Sequence, residues 1–355
     1  MEIRDLSVIK NTVIKEITDA SLNNPSSFSY LSHPLAFEPL ITAEVKFQVL
    51  VIGGSICKKA LAQKEGQKIT ILSQEEKPQP NFQSAEDLFT FIQKELDPDV
   101  DTLALNFAYP LQPVFREGKL DGTLRSGTKE NTFTNLVGKQ VGLEIEQHLK
   151  DQRILHVSVA NDTICLLLSG LAQFPWNNLA GGIVGTGLNF AYFTEKNTIV
   201  NLEAANFDKF PLSEAAKLID AESANPGKAL FEKETAGAYL YKHFNILSQQ
   251  KNLSGSPLSS TEELNELAEH DQTEKGTLAL NILSRSAALV ACQIAGIADF
   301  KKSDMTFVME GSLFWQGFQY KKTVEEQITL LTPHHVQFIL IEQSSLLGAA
   351  QLISS

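Results

Sequence analysis

Phe47 to Ile52 is a near-continuous apolar run that stops on Gly53-Gly54. Such a run fits a strand covered on both faces, and the two glycines let the chain turn sharply at its end. A second turn of this kind lies in the other half of the chain. There Gly182 to Gly185 and Leu188 to Phe193 read as strands meeting at Gly185-Thr186-Gly187. Each turn leads into a similar order of elements. After the first come strands at Ile56 to Ala62 and Lys68 to Ser73, joined at Glu65-Gly66, and a helix opened by Ser84 with Asp87 in its first turn. Leu103, Leu105 and Phe107 alternate as a strand, and Gln112 to Thr132 reads as a long polar loop. A helix to about Lys150, a strand at Ile154 to Ala160 and a helix from Thr163 complete the set. After the second turn the pattern gives a strand at Thr198 to Leu202 and a mostly helical region from Pro211 to Phe300. Strands at Met305 to Met309 and Val336 to Ile341 come next, and a helix through Ile353 closes the chain.

Three strands, helix, strand, helix, strand, helix, written twice, is the order of the duplicated ribonuclease-H-like fold, an α/β class. The length of 355 residues agrees, since it exceeds what one compact core usually holds. An amphipathic helix over residues 1–20, with Ile3, Leu6, Val13 and Ile17 at helical spacing, precedes the first repeat. With 30 Lys and Arg against 42 Asp and Glu, the net charge of −12 argues against nucleic acid or an anionic membrane as partner. Cys57, Cys165 and Cys292 are scattered among apolar neighbours, as buried thiols are. The seven histidines show no metal-ligand spacing. Glu2, Arg4 and Asp5 do not make a signal peptide, and no apolar run approaches membrane-spanning length, so a soluble, cytoplasmic chain is expected.

Gly53-Gly54-Ser55 and Gly185-Thr186-Gly187 have the chemistry of phosphate grips. Glycine lets backbone N–H groups approach phosphate oxygens, and a hydroxyl adds a donor. Asn161-Asp162-Thr163 lies where a strand ends and a helix begins. Two readings stand there: a helix cap, or a general base at the C-terminal edge of a sheet where open α/β folds place ligands.

From about Ser26 to its end the chain resembles the hexokinase family. The resemblance rests on Asn106-Phe107-Ala108-Tyr109-Pro110, Glu117-Gly118-Lys119-Leu120, Thr128-Lys129 and Ala160-Asn161-Asp162-Thr163. It continues through Ile183 to Asn189 and Val200-Asn201-Leu202-Glu203, and most specifically through Glu222 to Lys233. It implies a two-lobed, actin-like ATPase fold with a central cleft that closes around a hexose, glucose foremost, and ATP with Mg²⁺. The implied division is residues 1–46 as a helix and connector on the large lobe and 47–160 as the small lobe. Residues 161–342 form the large lobe and 343–355 a helix returning to the small one. The implied activity is transfer of the ATP γ-phosphoryl to the sugar 6-hydroxyl, with Asp162 as base and Lys129 offsetting developing charge. Thr128, Asn161, Asn189, Glu203 and Glu232 match sugar-binding positions. Gly53, Gly54, Ser55, Lys58, Gly185, Thr186, Gly187, Gly311 and Ser312 match the nucleotide side.

The chain also departs from the family. The family's first phosphate turn reads Asp-Leu-Gly-Gly-Thr-Asn, with Arg one residue on; here the positions hold Val51, Ile52, Gly53, Gly54, Ser55, Ile56 and, after Cys57, Lys58. Val51 removes a carboxylate that helps hold Mg²⁺, and no protein metal ligand is assigned in its place. Ala108 replaces a sugar-contacting serine, and Ser344 to Gly348 keeps only part of a glycine-rich turn. An alternative is therefore a sugar-binding pseudokinase acting as a sensor or regulator.

Overall fold

A computed structural model describes residues 3–36, 39–41, 44–53, 56–66, 68–127 and 130–354. In chain order the elements are helix α1 (Ile3–Ser21) and strands β1 (Leu31–Pro34), β2 (Lys46–Ile52), β3 (Ile56–Glu65) and β4 (Lys68–Pro78). Helix α2 (Ala85–Glu95) and strands β5 (Thr102–Phe107), β6 (Leu111–Arg116) and β7 (Lys119–Leu124) come next. Helix α3 (Val141–Leu149), strand β8 (His156–Ala160) and helix α4 (Asp162–Ser169) complete the first half. Strands β9 (Leu179–Val184), β10 (Leu188–Glu195) and β11 (Thr198–Asn201) open the second half. Helices α5 (Glu214–Ala221), α6 (Leu230–Thr235), α7 (Gly237–Gln250), α8 (Thr261–His270) and α9 (Glu274–Lys301) come after them. The chain ends with β12 (Met305–Glu310), α10 (Ser312–Gln316), α11 (Tyr320–Leu331), β13 (Val336–Ile339) and α12 (Ser344–Ser354).

These elements form two compact units. The first comprises Met1–Tyr30, Gly182–Phe190 and Asn201–Leu340; the second comprises Leu31–Gly181, Ala191–Val200 and Ile341–Ser355. In the second unit a five-stranded sheet has the order β4-β3-β2-β5-β8. Its β2, β5 and β8 run parallel, while β3 and β4 form an antiparallel hairpin. All six residues of β5 are buried, as expected of a central parallel strand. One core cluster joins Leu50, Ile52, Leu103 and Leu105 to Leu88 and Ile92 of α2 and Val141 and Ile145 of α3. Ser84 caps α2 in a reciprocal box with Asp87, at 3.2 and 2.8 Å.

Helix α12 packs on β2, β5, β8 and α4. The α4 contact is backbone against backbone, for a Cβ on Gly348 would collide with the Cys165 carbonyl. Gly348→Ala is therefore expected to cost about 1–3 kcal/mol by overpacking. A lower urea midpoint at an unchanged slope would register it.

This packing moves a boundary. Residues 161–181 sort with the second unit rather than with a large lobe beginning at 161. Residues 31–46 join that unit too, through Leu40 N–H to Ile353 O at 2.9 Å and Glu44 N–H to Lys64 O at 2.7 Å. A second correction concerns Gln112 to Thr132, where β6 and β7 pair as a hairpin through Glu117-Gly118. The segment is polar because its charges are buried in mutual ion pairs: Arg116, Lys119 and Asp121 meet each other or Glu146.

The remaining sheet has the order β1-β11-β10-β9-β12-β13. Its β12–β13 end, with Gly182–Val184 and Leu188–Phe190, belongs to the first unit. There α9 is the central helix. Its 28 residues make it long and apolar enough to cross a membrane, contrary to the expectation from the sequence, yet 78% of its apolar window is buried inside the protein. Small residues make that burial possible: a Cβ on Gly296 would press into Val13 of α1. All three cysteines are buried and outside any disulfide, and burial pushes Cys57 up to about 11 and Cys292 up to about 12.

Candidate active site

In the second unit, β2 delivers Gly53 at its C-terminal end. A side chain there would collide with the Cβ of Ala108, so only glycine fits. The Gly53 N–H donates to Gln79 Oε1 at 2.5 Å. Gly54 and Ser55, which complete the expected grip, lie outside the described residues, as do Thr128 and Lys129. Val51 is buried between its strand partners Lys58 and Asn106. Lys58 does not point its charge at the turn unopposed: its Nζ pairs with Glu76 at 3.1 Å, across the β3–β4 hairpin.

At the C-terminal edge of the same sheet, β8 leads into α4. Of the two readings of Asn161-Asp162-Thr163, the cap is observed. Asn161 is the cap, its Oδ1 accepting the Ile164 N–H at 3.0 Å. Asp162 is the first helical residue, and its Oδ1 accepts from the next residue of the first turn. Burial pushes its carboxyl above the ordinary aspartate value, against hydrogen bonds from the Thr163 N–H at 2.8 Å and hydroxyl at 3.4 Å. The group is half-buried, oriented, and placed where an open α/β sheet binds ligands.

In the first unit, Asn189, Glu203 and Glu232 converge. Asn189 Oδ1 accepts from the Phe190 and Ala204 N–H groups at 2.8 and 3.1 Å. Its Nδ2 donates to Asn201 Oδ1 at 2.9 Å. Asn201 also holds Glu203 at both ends, donating to Glu203 Oε1 at 2.7 Å and accepting from its N–H at 3.0 Å. That double grip fixes Glu203 in a left-handed conformation, φ 51°, which a residue with a side chain adopts only when its surroundings enforce it. Glu232, on α6, accepts from the Leu188 N–H at 3.4 Å. Burial pushes its carboxyl up, and the neighbouring charge of Glu203 acts in the same direction.

Two residues of this region carried no assignment from the sequence. Asn201 is 1% exposed between Val200 and Leu202, and a polar residue inside an apolar strand must be paired, which was the available signal. Lys233 is buried beside Glu232. Its three ammonium protons meet Asp220 Oδ1 at 2.5 Å, Ser223 Oγ at 2.9 Å and Asn225 O at 2.9 Å, tying the loop after α5 to α6.

The second glycine turn is built into the same unit. Gly185 N–H donates to Gly187 O at 3.0 Å, while Gly237 and Ala238 at the head of α7 donate to Gly185 O and Thr186 O at 2.8 and 3.2 Å. A Cβ on Gly185 would stand 3.1 Å from Gly311 Cα, and one on Gly311, φ 115°, would strike Val184 O. The turn borders a cavity of about 360 Å³ lined by Gly185, Thr186, Ala238, Ser260, Asn265 and Ser312 among others. Among the described residues no lysine or arginine lines it, and Glu262 is its carboxylate. The Gly185, Gly237 and Ala238 amides are already bonded within the turn, so the donors facing the cavity come from side chains such as Thr186, Ser260 and Ser312. A protein-held metal does not fit. Among the described residues no three His, Cys, Asp or Glu side chains gather as a metal site, and Val51 is apolar.

Solved structures share this architecture. A hexokinase crystal structure superposes over 100% of this chain and 96% of its own, with TM-score 0.81 and 20% identity. A hexokinase from Schistosoma mansoni complexed with glucose covers the same shares at TM-score 0.77 and 21% identity. A ROK hexokinase from Thermus thermophilus covers 87% of this chain and 98% of its own, at 0.58 and 17%. The fold is that of the actin-like sugar kinases.

The chain belongs to the hexokinase family. Residues 179–247 and 243–355 match the family model described as Hexokinase. Hexokinase-7 of Oryza sativa subsp. japonica is 29% identical over 235 residues, 56% of this chain and 50% of that protein. The hexokinase of Emericella nidulans is 31% identical over 166 residues, 41% of this chain and 33% of its own length. The chain thus spans half or less of these curated relatives.

Proposed function

We propose that this chain is a hexose kinase that transfers the γ-phosphoryl group of ATP to a sugar 6-hydroxyl, with Asp162 as the general base. The observation that carries the reading is the division of labour at the head of α4. Asn161 caps the Ile164 N–H, and the half-buried Asp162 carboxylate, raised by burial, is oriented through one oxygen, Oδ1, by the Thr163 N–H. In the step itself the sugar oxygen attacks the γ-phosphorus, the bond to the β–γ bridging oxygen breaks, ADP leaves, and the hydroxyl proton passes to Asp162. Asn189, Glu203 and Glu232 form a hydroxyl-reading cluster, since each sugar hydroxyl both donates and accepts and carboxylates accept strongly. The resemblance to the family adds Asn161, Thr128 and Lys129 as further sugar contacts, Thr128 and Lys129 lying outside the described residues. A divalent cation is expected to arrive on the nucleotide phosphates, where it offsets their charge.

Glucose is the hexose to try first, as the S. mansoni neighbour is complexed with it. Glu232→Gln is expected to weaken glucose binding about tenfold to a hundredfold in calorimetry, the usual worth of a hydrogen bond to a charged group. Folding stability should hold or rise, because the amide is easier to bury than the carboxylate. Unchanged affinity would remove Glu232 from the sugar site. A coupled assay of ADP release over a panel of hexoses tests the activity.

A second reading has its own support: a sugar-binding pseudokinase. Val51 supplies no carboxylate, the Gly53 N–H is already bonded, and Lys58 is paired with Glu76. Sugar binding in calorimetry without sugar-dependent ADP release would select it.

A further inference from the structure

Asn189, Glu203 and Glu232, the candidate hydroxyl readers of the first unit, are each half-buried and so open to a ligand. Asn201 is 1% exposed and out of a ligand's reach, yet it bonds to two of the three. Its Oδ1 accepts from Asn189 Nδ2 at 2.9 Å and from the Glu203 N–H at 3.0 Å, while its Nδ2 donates to Glu203 Oε1 at 2.7 Å. Asn189 is held at its other end too, where its Oδ1 accepts the Ala204 N–H at 3.1 Å. Ala204 is anchored in turn from α9, since Gln293 Nε2 donates to its carbonyl at 3.2 Å. Asn189, Asn201, Glu203 and Ala204 therefore close a ring that ties β10 to the chain after β11. Glu232 arrives separately on α6 and accepts from the Leu188 N–H.

The ring needs an acceptor on one side of residue 201 and a donor on the other, and a carboxamide supplies both. We propose that Asn201 is a positioning residue for the sugar, coupling Asn189 and Glu203 into one hydroxyl-reading unit and leaving Glu232 to act independently. This rests on the reading of the three side chains as the hexose site. Glu203 is held at one carboxylate oxygen and at its own N–H, in a left-handed conformation that its neighbours must enforce. The direction from which a hydroxyl can meet Glu203 is thus set by Asn201, which makes a residue that touches no sugar a determinant of which sugar fits.

Glucose calorimetry on full-chain variants tests this by swapping donor and acceptor. Asn201→Asp keeps the size and both accepting bonds but turns one carboxylate against another, and is expected to weaken glucose about tenfold or more. Glu203→Gln supplies an amide that can donate to that new carboxylate, so in its background Asn201→Asp should cost less than about threefold. In the Glu232→Gln background Asn201→Asp should keep its full cost. Rescue by one carboxamide and not by the other is a pattern that a merely structural role does not produce. Asn201→Ser, whose hydroxyl is too short to reach Glu203 Oε1, should also weaken glucose about tenfold, and it decides the matter if Asn201→Asp does not fold. Binding within about threefold of wild type in Asn201→Ser, or an Asn201→Asp loss of equal size in the two carboxamide backgrounds, overturns the proposal alone. Absence of glucose binding in the wild type overturns it together with the sugar reading of the cluster.

Discussion

Asp162→Asn is expected to lower hexose-dependent ADP release by about two to four orders of magnitude, the contribution usual for a positioned general base. Glucose affinity should stay within about threefold, because the amide oxygen can still accept the Thr163 N–H that orients the side chain. The variant isolates charge and basicity from shape. The pH profile gives a second handle. A base works deprotonated, and burial raises the Asp162 carboxyl, so wild-type kcat/KM should fall on the acid side at a pH above the value of about 3.9 for an unperturbed aspartate. For stability the sign is the opposite of the usual carboxylate case. A group whose folded value is raised loses stability as pH climbs from its unfolded to its folded value, and above that the loss is complete. Neutral Asn escapes it, so Asp162→Asn should melt no lower than wild type at pH 7. A variant that turns over at the wild-type rate would remove Asp162 as base.

The largest loss of stability is expected from Asp121→Ala. The side chain of Asp121 is fully buried and accepts four donors. They are the N–H groups of Gly122, Gly142 and Leu143 at 2.7, 2.8 and 3.0 Å, and Arg116 Nε at 2.8 Å. Gly142 and Leu143 open α3, whose own N-cap residue, Gln140, makes no side-chain cap bond. Asp121 caps that helix from the neighbouring hairpin, and its charge favours the helix N-terminus. Removing it takes one of two close carboxylate partners from Arg116, which keeps Glu146 and already has one guanidinium nitrogen unpartnered, and leaves the Gly142 and Leu143 N–H groups without their acceptor. Breaking such a buried pair costs about 3–5 kcal/mol. The linked Glu146 behaves consistently: burial pushes its carboxyl up, but Arg116, Lys119 and the Val157 N–H outweigh that and hold it low. Its stabilisation is present above the ordinary carboxylate range and lost as pH falls through the lowered folded value. Urea unfolding at pH 7 measures the Asp121→Ala loss; less than about 1 kcal/mol would show the network to be dispensable.

The fold was largely legible because its strands announce themselves by residue type. Phe47 to Ile52, a near-continuous apolar run ending on glycine, is buried on both faces, and Leu103 to Phe107, legible as a strand by alternation, is buried throughout. What misled was charge. In Gln112 to Thr132 the polar residues read as solvated, yet Asp121 and Lys119 are buried and balance neighbouring charges across the hairpin and α3. Local pattern carries no information about partners that distant in sequence. The same limit hid Asn201, whose value lies in Asn189 and Glu203, and Gln79, whose amide meets Gly53 and Tyr109 from beyond a whole hairpin. At Asn161-Asp162-Thr163 the cap was legible, and geometry gives it to Asn161.

Phosphorus NMR of the products formed from glucose and Mg²⁺-ATP tests the central claim most directly. The account predicts a phosphomonoester signal coupled to the C6 methylene protons, growing in step with ADP, absent with 6-deoxyglucose and suppressed in Asp162→Asn. Glucose bound in calorimetry, with ATP left intact and no such signal formed, would contradict it.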